Sequence, residues 1–444
     1  MVADLVLTNT KIYYEKKLVK AGLAIEKGKI LKIAKEPNLP KASKKIDLKG
    51  KILLPGIIDV HTHLRDQEKA YKEDFQSGTK AAAAGGITIV LDMPNNQPVT
   101  MDAETLRQRK TLAKPNIYVN VGFYSAFPHN LEEIEKIARE GAVGFKLFLI
   151  QQIGGLNINN NEALTAAFKK VKEIDMPIAV HAEDQETVEE AKRKLHSKGL
   201  NDVRAFLEAY SPNAEVKALK RVIDLTIKTR VHTHICHITT ANGLEIIATT
   251  KRLNLPITCE VTPHHLLLTE EKLKNDGKIA LTDPPLRSKT DIEALWEGIG
   301  KGIVDVIASD HAPHLLEEKN AELIWQAKVG VPGLETTLPL MLTQLSKGRI
   351  TLPKLVELLA ENPAKIFHIK DRGTLAVGNY ADLVVVDLKQ KDKIDASKFY
   401  SKAKFSPFNG WKIEGKPVKT FVNGSLVMDE GEIVAKAGTG KILD

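Results

Sequence analysis

Eight short apolar runs of strand length, spaced through the middle of this 444-residue chain, constrain its fold more than any other feature. Longer segments rich in Ala, Leu, Lys and Glu separate the runs and are helical in character. The runs are GIIDVH (56–61), GITIVLDM (86–93), IYVNVGFY (117–124), AVGFKLFL (142–149), MPIAVHAE (176–183), RVHTHICHI (230–238), PITCEVTPH (256–264) and VDVIASDH (304–311). Strands that alternate with helices predict a parallel sheet, and eight is the number that closes a (β/α)8 TIM barrel.

The two ends of the chain have a different pattern, in which apolar and polar residues alternate and helical segments are few. A KGK triplet at 27–29 and an Asn-Gly pair at 423–424 each predict a hairpin turn. A piece of about 50 residues is marginally stable alone, so we expect the two ends to pair. The sequence therefore predicts an α/β protein, with a discontinuous β-sandwich domain of residues 1–54 and 372–444 and an inserted barrel domain of residues 55–371.

Composition excludes several classes of protein. Hydrophobic residues make up 43% and charged residues 27% of the chain, which is typical of a globular protein rather than a disordered or fibrous one. The net charge of +8 is spread along the chain without interleaved aromatic residues, which argues against nucleic-acid binding. Two cysteines cannot build a disulfide framework, and neither a signal peptide nor an apolar run of about 18 residues is evident. We therefore expect a cytoplasmic enzyme that acts away from membranes.

Polar or ionisable residues end most of the eight runs, and the carboxyl ends of barrel strands form the active face of such folds. His61 and His63 are two residues apart, so their rings point to the same side of a strand and can chelate one ion. Taken alone, this pair also fits two surface histidines. Because His181, His237 and Asp310 end further runs, the five groups together predict a site for two metal ions.

Lys146 lies inside the apolar run AVGFKLFL. A charged ammonium group is costly to bury there unless it is paired or chemically altered. Burial favours the neutral amine, which can react with CO₂ to form a carbamate, and the two carbamate oxygens would bridge two cations. The alternative is a lysine whose amine extends from the end of the barrel to solvent.

The motifs together resemble a known family over nearly the whole chain. They are DVHTHLRD, AAAAGGITIVLDMPNNQP, GFKLFL, AVHAED, CHITT, CEVTPHH, DPPLRS, ASDHAPH, VPGLET and GTLAVGNYADLVVVD, in this order. This set of motifs is similar to that of the cyclic amidohydrolases and, within that family, to that of the dihydroorotases of the long type. The resemblance implies the same barrel with a small β-sandwich built from both termini.

The resemblance also implies two Zn²⁺ ions per chain, bridged by a CO₂-derived carbamate on Lys146. The ligands of one ion would be His61, His63 and Asp310, and those of the other would be His181 and His237. Some long dihydroorotases lack the lysine, but the segment GFKLFL retains it. Asp310 would in addition be the catalytic residue that takes and returns a proton.

Arg65 is the residue on which substrate choice depends. It follows His63 by two residues and points to the same side, and its guanidinium group fits a carboxylate through two parallel hydrogen bonds. A surface ion pair is the alternative for this arginine. The resemblance implies that Asn95 and His314 complete a pocket for the substrate carboxylate, although Asn95 would also suit a turn after Pro94.

The expected reaction is the zinc-dependent, reversible cyclisation of N-carbamoyl-L-aspartate to (S)-dihydroorotate plus water in pyrimidine biosynthesis. One alternative is an allantoinase or hydantoinase, which opens rings that carry no carboxylate. Another is a catalytically silent scaffold subunit. The resemblance implies that the chain forms a homodimer, and it also implies an association with aspartate transcarbamoylase as an expected partner.

Two departures from the family pattern and one loop remain open at this point. Residues 66–68 read Asp-Gln-Glu where the family commonly has Glu-Pro-Gly, and Asp283 stands where many relatives have an asparagine that contacts the ring. The polar segment at 151–161 follows the run that carries Lys146. It suits a loop that closes over the substrate and an ordinary connection equally well.

Overall fold

The computed structural model describes residues 2–443. The chain begins with five strands whose apolar residues alternate between the two faces. They are β1 (Ala3–Tyr14), β2 (Lys17–Glu26), β3 (Lys29–Ala34), β4 (Ala42–Asp47) and β5 (Ile52–Pro55). The turn between β2 and β3 places Lys27 at φ 50° and Gly28 at φ 77°. This left-handed pair is the conformation that a two-residue hairpin needs, so the predicted turn is confirmed.

Eight parallel strands follow within the described residues, and each coincides with one of the eight predicted runs. They are β6 (Ile57–Thr62), β7 (Ile87–Asp92), β8 (Asn120–Ala126), β9 (Gly144–Phe148), β10 (Ile178–His181), β11 (Thr233–Ile235), β12 (Ile257–Val261) and β13 (Val306–Ile307). Each strand pairs with the next one along the chain. A parallel bridge between Thr62 and His311 joins the two ends of this sheet. The strands therefore surround a nearly closed barrel, as predicted.

Four strands near the carboxyl terminus complete the first sheet. They are β14 (Leu383–Lys393), β15 (Lys412–Val422), β16 (Ser425–Asp429) and β17 (Glu432–Ile433). Strand β14 lies antiparallel to β5, so that strands from both ends of the described chain form one hydrogen-bonded sheet. Asn423 and Gly424, at φ 49° and 80°, form the predicted turn between β15 and β16. The division into domains at 54/55 and 371/372 stays a prediction.

Helices fill the connections between barrel strands, and many begin at an Asp, Asn or Thr side chain that accepts a hydrogen bond from the first turn. The helices are α1 (Phe75–Ala84), α2 (Ala103–Ala113), α3 (Glu133–Arg139), α4 (Asn161–Glu173), α5 (Gln185–Ser197), α6 (Val203–Ala209), α7 (Pro212–Thr229), α8 (Ala241–Arg252), α9 (Pro263–Leu267), α10 (Glu270–Asp276), α11 (Lys289–Gly300), α12 (Leu316–Lys319), α13 (Thr337–Ser346), α14 (Leu352–Val356) and α15 (Asn362–Ile366). No helix among the described residues combines the length and the apolar character needed to cross a membrane.

Candidate metal centre and active site

Three buried side chains converge where the barrel closes, at the end of β6 and just beyond β13. His61 Nε2 and His63 Nε2 each lie 3.3 Å from Asp310 Oδ1. The three ligand atoms of this group all lie within 4.8 Å of one another. Imidazole nitrogens with one carboxylate oxygen are a donor set that Zn²⁺ prefers. The predicted chelating pair and Asp310 therefore meet at one point, and we call them the first group.

The first group is oriented by hydrogen bonds on its far side. Glu260 Oε1 accepts a short hydrogen bond from His61 Nδ1, and Asn95 Oδ1 lies 2.7 Å from His63 Nδ1. With Nδ1 as the donor in both rings, each Nε2 keeps its lone pair on the side of Asp310, as a metal ligand must. Burial alone would raise the pKa of Glu260, but the neighbouring His61 and His234 rings hold it well below its ordinary value.

His181 and His237 form a second group next to the first. Their ring centroids are 4.6 Å apart, and the His237 ring lies 5.2 Å from that of His61. Glu183 Oε2 is 2.9 Å from His181 Nε2, which leaves Nδ1 with the lone pair. The Nδ1 atom of His237 is buried and has no hydrogen-bond partner. A buried ring nitrogen without a partner is costly and is available to a metal ion.

The histidines of both groups are neutral near pH 7, because burial disfavours the charged ring. Burial lowers the pKa of His181 to about 4, and it lowers the pKa of His63 and His237 well below the usual value. Metal binding requires an unprotonated imidazole nitrogen. The donor set, its burial and its protonation state therefore fit divalent metal ions.

Lys146 lies in β9 with only 1% of its surface exposed. Its amine does not reach solvent, so the alternative of a lysine extending from the barrel end is wrong. Nζ contacts Cys236 Sγ at 2.9 Å and lies 4.9 Å from the centroid of the Phe148 ring. Among residues 2–443 no carboxylate lies within ion-pair distance of Nζ. A buried amine without a directly paired carboxylate is costly to keep in this setting, while the carbamate itself stays a prediction.

Arg65 is buried beside the first group, so it is not a surface ion pair. Its Nη2 lies 3.3 Å from His314 Nε2, its Nε has no hydrogen-bond partner, and no carboxylate of the described residues lies within 4 Å. Burial lowers the pKa of Arg65 to about 10, which still leaves the guanidinium charged at neutral pH. Asp310 and other nearby carboxylates partly stabilise this charge, but a buried cation without a direct ion pair gains further from an anion that reaches it.

The backbone is strained at three of these positions. Arg65, His237 and Asp310 have φ of 58°, 33° and 46°, in the left-handed region that residues with a Cβ avoid. Such a conformation costs roughly 1–3 kcal/mol per residue and is concentrated at functional sites. The fold therefore holds one residue of each group, together with the arginine, in an orientation that a relaxed backbone would not give.

Two connected cavities lead to these residues. The inner one, of about 80 Å³, is lined by the four histidines, Asp310, Arg65 and Asn95. The outer one, of about 690 Å³, opens to the surface and also contacts His314. Arg65, Asn95, Gln151 and Asp283 line both cavities. The predicted metal ligands other than Lys146, and all three predicted substrate-binding residues, thus line this pair of cavities.

Asp283 and the segment 151–161 border the cavities in different ways. Oδ1 of Asp283 is buried without a hydrogen-bond partner, and burial together with the nearby Glu183 raises the pKa of Asp283 well above its usual value. The segment 151–161 is anchored to the barrel by a 2.8 Å hydrogen bond from Gly155 N to Phe127 O. Of this segment only Gln151 lines the two cavities, and its predicted closure stays untested.

Three residues of the site, Glu260, Glu183 and Lys72, were not predicted from the sequence. Glu260 bonds His61 and also His234, whose Nε2 lies 3.2 Å from Oε2. One available signal was a charged residue within the apolar run PITCEVTPH, the same signal that identified Lys146.

Comparison with known proteins agrees with this geometry. The amidohydrolase family matches residues 52–427. The chain is 39% identical to the dihydroorotase of Pyrococcus furiosus over 433 residues, which cover 97% of this chain and 94% of that protein. It is 36% identical to the dihydroorotase of Methanothermobacter thermautotrophicus over 437 residues, which cover 98% and 96% of the two chains.

The fold is similar to solved structures of related enzymes. The L-hydantoinase (dihydropyrimidinase) from Arthrobacter aurescens superposes with a TM-score of 0.96 at 32% identity and covers 100% of both chains. The dihydropyrimidinase from Brevibacillus agri superposes with a TM-score of 0.92 at 25% identity, over 99% of this chain and 98% of that one. The chain therefore belongs to the amidohydrolase family, and its full-length similarity places it among the dihydroorotases of that family.

Proposed function

We propose that this protein is a dihydroorotase, which interconverts N-carbamoyl-L-aspartate and (S)-dihydroorotate plus water in pyrimidine biosynthesis. The observation that carries the proposal is Arg65, a buried guanidinium that faces the inner cavity and has no carboxylate partner among the described residues. The carboxylate of either compound would supply the missing anion through two charge-assisted hydrogen bonds.

The proposed metal centre holds two Zn²⁺ ions, which when bound supply an activated water and polarise the amide carbonyl. His61, His63 and Asp310 would hold one ion, His181 and His237 the other, and a carbamylated Lys146 would lie between them. The convergence of the first group and the burial of Lys146 beside Cys236 support this assignment.

Asp310 is proposed to move the proton. Both of its contacts with the histidines use Oδ1, so Oδ2 would be the oxygen that takes up the proton. In ring opening this carboxylate accepts a proton from the water and delivers it to the ring nitrogen, and in ring closure the transfer runs in reverse.

Arg65, Asn95 and His314 are proposed to bind and orient the substrate carboxylate. The Oδ1 atom of Asn95 is bonded to His63 Nδ1, so its amide N–H groups are the part that can donate to the substrate. Asn95 would therefore link the metal ligand His63 to the carboxylate pocket.

A hydantoinase activity on rings without a carboxylate is the second candidate. The similarity to the L-hydantoinase from Arthrobacter aurescens, with a TM-score of 0.96, favours it. It gives no role to the unpaired charge of Arg65, and for this reason we prefer the dihydroorotase. The proposed homodimer, association with aspartate transcarbamoylase and cytoplasmic location rest on the family resemblance alone.

The deciding experiment assays the zinc-loaded protein with dihydroorotate, with carbamoyl aspartate and with a hydantoin. We expect turnover of the first two, and a fall in kcat/KM of about 10²–10⁴-fold in Arg65→Ala, because two hydrogen bonds between charged groups are lost. The control is Arg204→Ala on the exposed face of α6, which should behave as the parent does.

Three outcomes would contradict the proposal. Hydantoin hydrolysis that survives Arg65→Ala, without dihydroorotate turnover at acidic or alkaline pH, would favour the hydantoinase. Less than one zinc per chain and no turnover would favour the silent scaffold. Dihydroorotate turnover that Arg65→Ala does not change would remove the role of the arginine.

A further inference from the structure

His314 lies between two cationic side chains. Its Nε2 is 3.3 Å from Arg65 Nη2, and its Nδ1 is 3.1 Å from Lys72 Nζ. All three side chains are buried. Burial, and then the charges of Arg65 and Lys72, hold the pKa of His314 far below its usual value, so the ring is neutral.

A neutral imidazole has one nitrogen that donates and one that accepts, whereas guanidinium and ammonium groups only donate. Only one of the two contacts of His314 can therefore be a hydrogen bond. In the other contact two N–H donors face each other. The backbone of Val329 also interacts with the ring of His314, and an acceptor from a substrate would meet both of the facing donors.

The surroundings of Lys72 identify which contact is the hydrogen bond. Glu318 Oε1 lies 2.7 Å from Lys72 Nζ, so the lysine is charged and held in place. Its distance to Nδ1 is the shorter of the two contacts of His314. Glu318 Oε2 is 3.6 Å from Nδ1, which is too long for a hydrogen bond. Nδ1 therefore accepts from Lys72, and the proton of the ring is on Nε2.

We propose that Lys72 is a positioning residue which holds His314 in the Nε2–H tautomer, so that His314 and Arg65 both donate to one carboxylate of the substrate. This inference rests on the proposed function and extends it to a residue that does not touch the substrate. His314 Nε2–H and Arg65 Nη2 face each other as donors, and a carboxylate oxygen beside them accepts from both. The tautomer thus contributes to the preference for a carboxylate-bearing ring.

Steady-state kinetics test the inference, because loss of the Lys72 contact should change KM for dihydroorotate and leave kcat nearly unchanged. Lys72→Met keeps the length of the side chain and removes the donor. We expect this variant to raise KM for dihydroorotate about tenfold and to change kcat by less than about twofold, because one hydrogen bond to a charged group is lost. Lys72→Arg keeps a cationic donor and should restore most of the parental KM. The matched control is Tyr71→Phe, since the Tyr71 hydroxyl bonds the same Glu318 at 3.3 Å without touching His314.

Nitrogen-15 NMR of histidine-labelled protein reports the tautomer directly and needs no turnover. His314→Asn identifies the His314 signals. We expect Nε2–H in the parent and in Lys72→Arg, and a shift toward Nδ1–H in Lys72→Met, where Glu318 becomes the nearest partner of Nδ1. The measurement on the parent protein stands even if Lys72→Met does not fold.

The outcomes separate this inference from the proposed function. An Nδ1–H tautomer in the parent, an unchanged KM in Lys72→Met, or a loss confined to kcat would each overturn the role of Lys72 while dihydroorotate turnover continued. An Nε2–H tautomer that depends on Lys72, in a protein that does not turn over dihydroorotate, would support the lysine's control of the ring and refute the proposed substrate.

Discussion

The first and second histidine groups differ in how far the fold alone assembles them. In the first, His61 and His63 both reach Asp310 at 3.3 Å. In the second, the rings of His181 and His237 are neighbours, but the nearest carboxylate to His181 is Glu183, which bonds its Nε2. The first group thus has one carboxylate that both of its histidines contact, whereas the carboxylates beside the second group, those of Glu183 and Asp283, converge on His181.

In the proposed centre, a carbamylated Lys146 would supply the ligand that the two groups share. It occupies β9, where it pairs in register with Ala179 of β10, two residues before His181. An amine is a poor bridge between cations, whereas a carbamate presents two oxygens. One half of the proposed centre thus depends on strand geometry, and the other half would depend on a chemical change in a buried side chain.

Asp310→Asn tests the first group and has the largest expected effect. The amide keeps the shape and one oxygen ligand but cannot take up a proton, so kcat should fall about 10²–10⁴-fold. Zinc content, measured by atomic emission, should remain close to that of the parent. Near-normal turnover would refute the proton transfer, and complete loss of zinc would show that Asp310 acts mainly as a ligand.

Lys146→Ala tests the second group. The zinc content should fall from two ions to about one per chain, and kcat should fall about 10³-fold because several kcal/mol of charge stabilisation is lost. The parent should show a carbamate signal in carbon-13 NMR after incubation with labelled bicarbonate. Cys236→Ser is the control, since it contacts the same Nζ and should keep both ions. Two zinc ions retained in Lys146→Ala would contradict the bridging role.

Glu260→Gln and Glu183→Gln together test whether the two groups bind metal independently. Of the changes considered, these two have the smallest expected effect. Each change weakens the partner that orients one histidine, and such partners typically contribute about 10–100-fold to metal affinity. Titration with a chelator should show one weakened ion in each variant, the first group's ion in Glu260→Gln and the second group's ion in Glu183→Gln. Release of the same ion in both variants would show that the two groups act as one.

Much of the fold could be predicted because its signals are local. Each barrel strand is a short apolar run, and the Asn-Gly pair at 423–424 adopts the left-handed angles that a hairpin turn needs. The chelating arrangement of His61 and His63 follows from the alternation of side chains along a strand. Lys146 could be recognised because a charged residue interrupts an apolar run.

Glu260 and Lys72 could not be assigned a role in the same way. Glu260 is 199 residues from His61 along the chain, and Lys72 is 242 residues from His314. Nothing near either residue in the sequence indicates which histidine it will contact. Lys72 in particular lies between β6 and α1, in a stretch whose polar residues suit any exposed loop.

The order of residues along the chain is enough to identify which segments are strands, which of them end in candidate metal ligands, and that an arginine follows the two histidines of β6. The contact of Glu260 with His61, and the position of His314 between Lys72 and Arg65, become visible only in the folded chain. Local patterns specify the direction of a side chain relative to its own strand. The partner of that side chain depends on how strands distant in sequence are brought together when the barrel closes, which is a property of the whole packed chain.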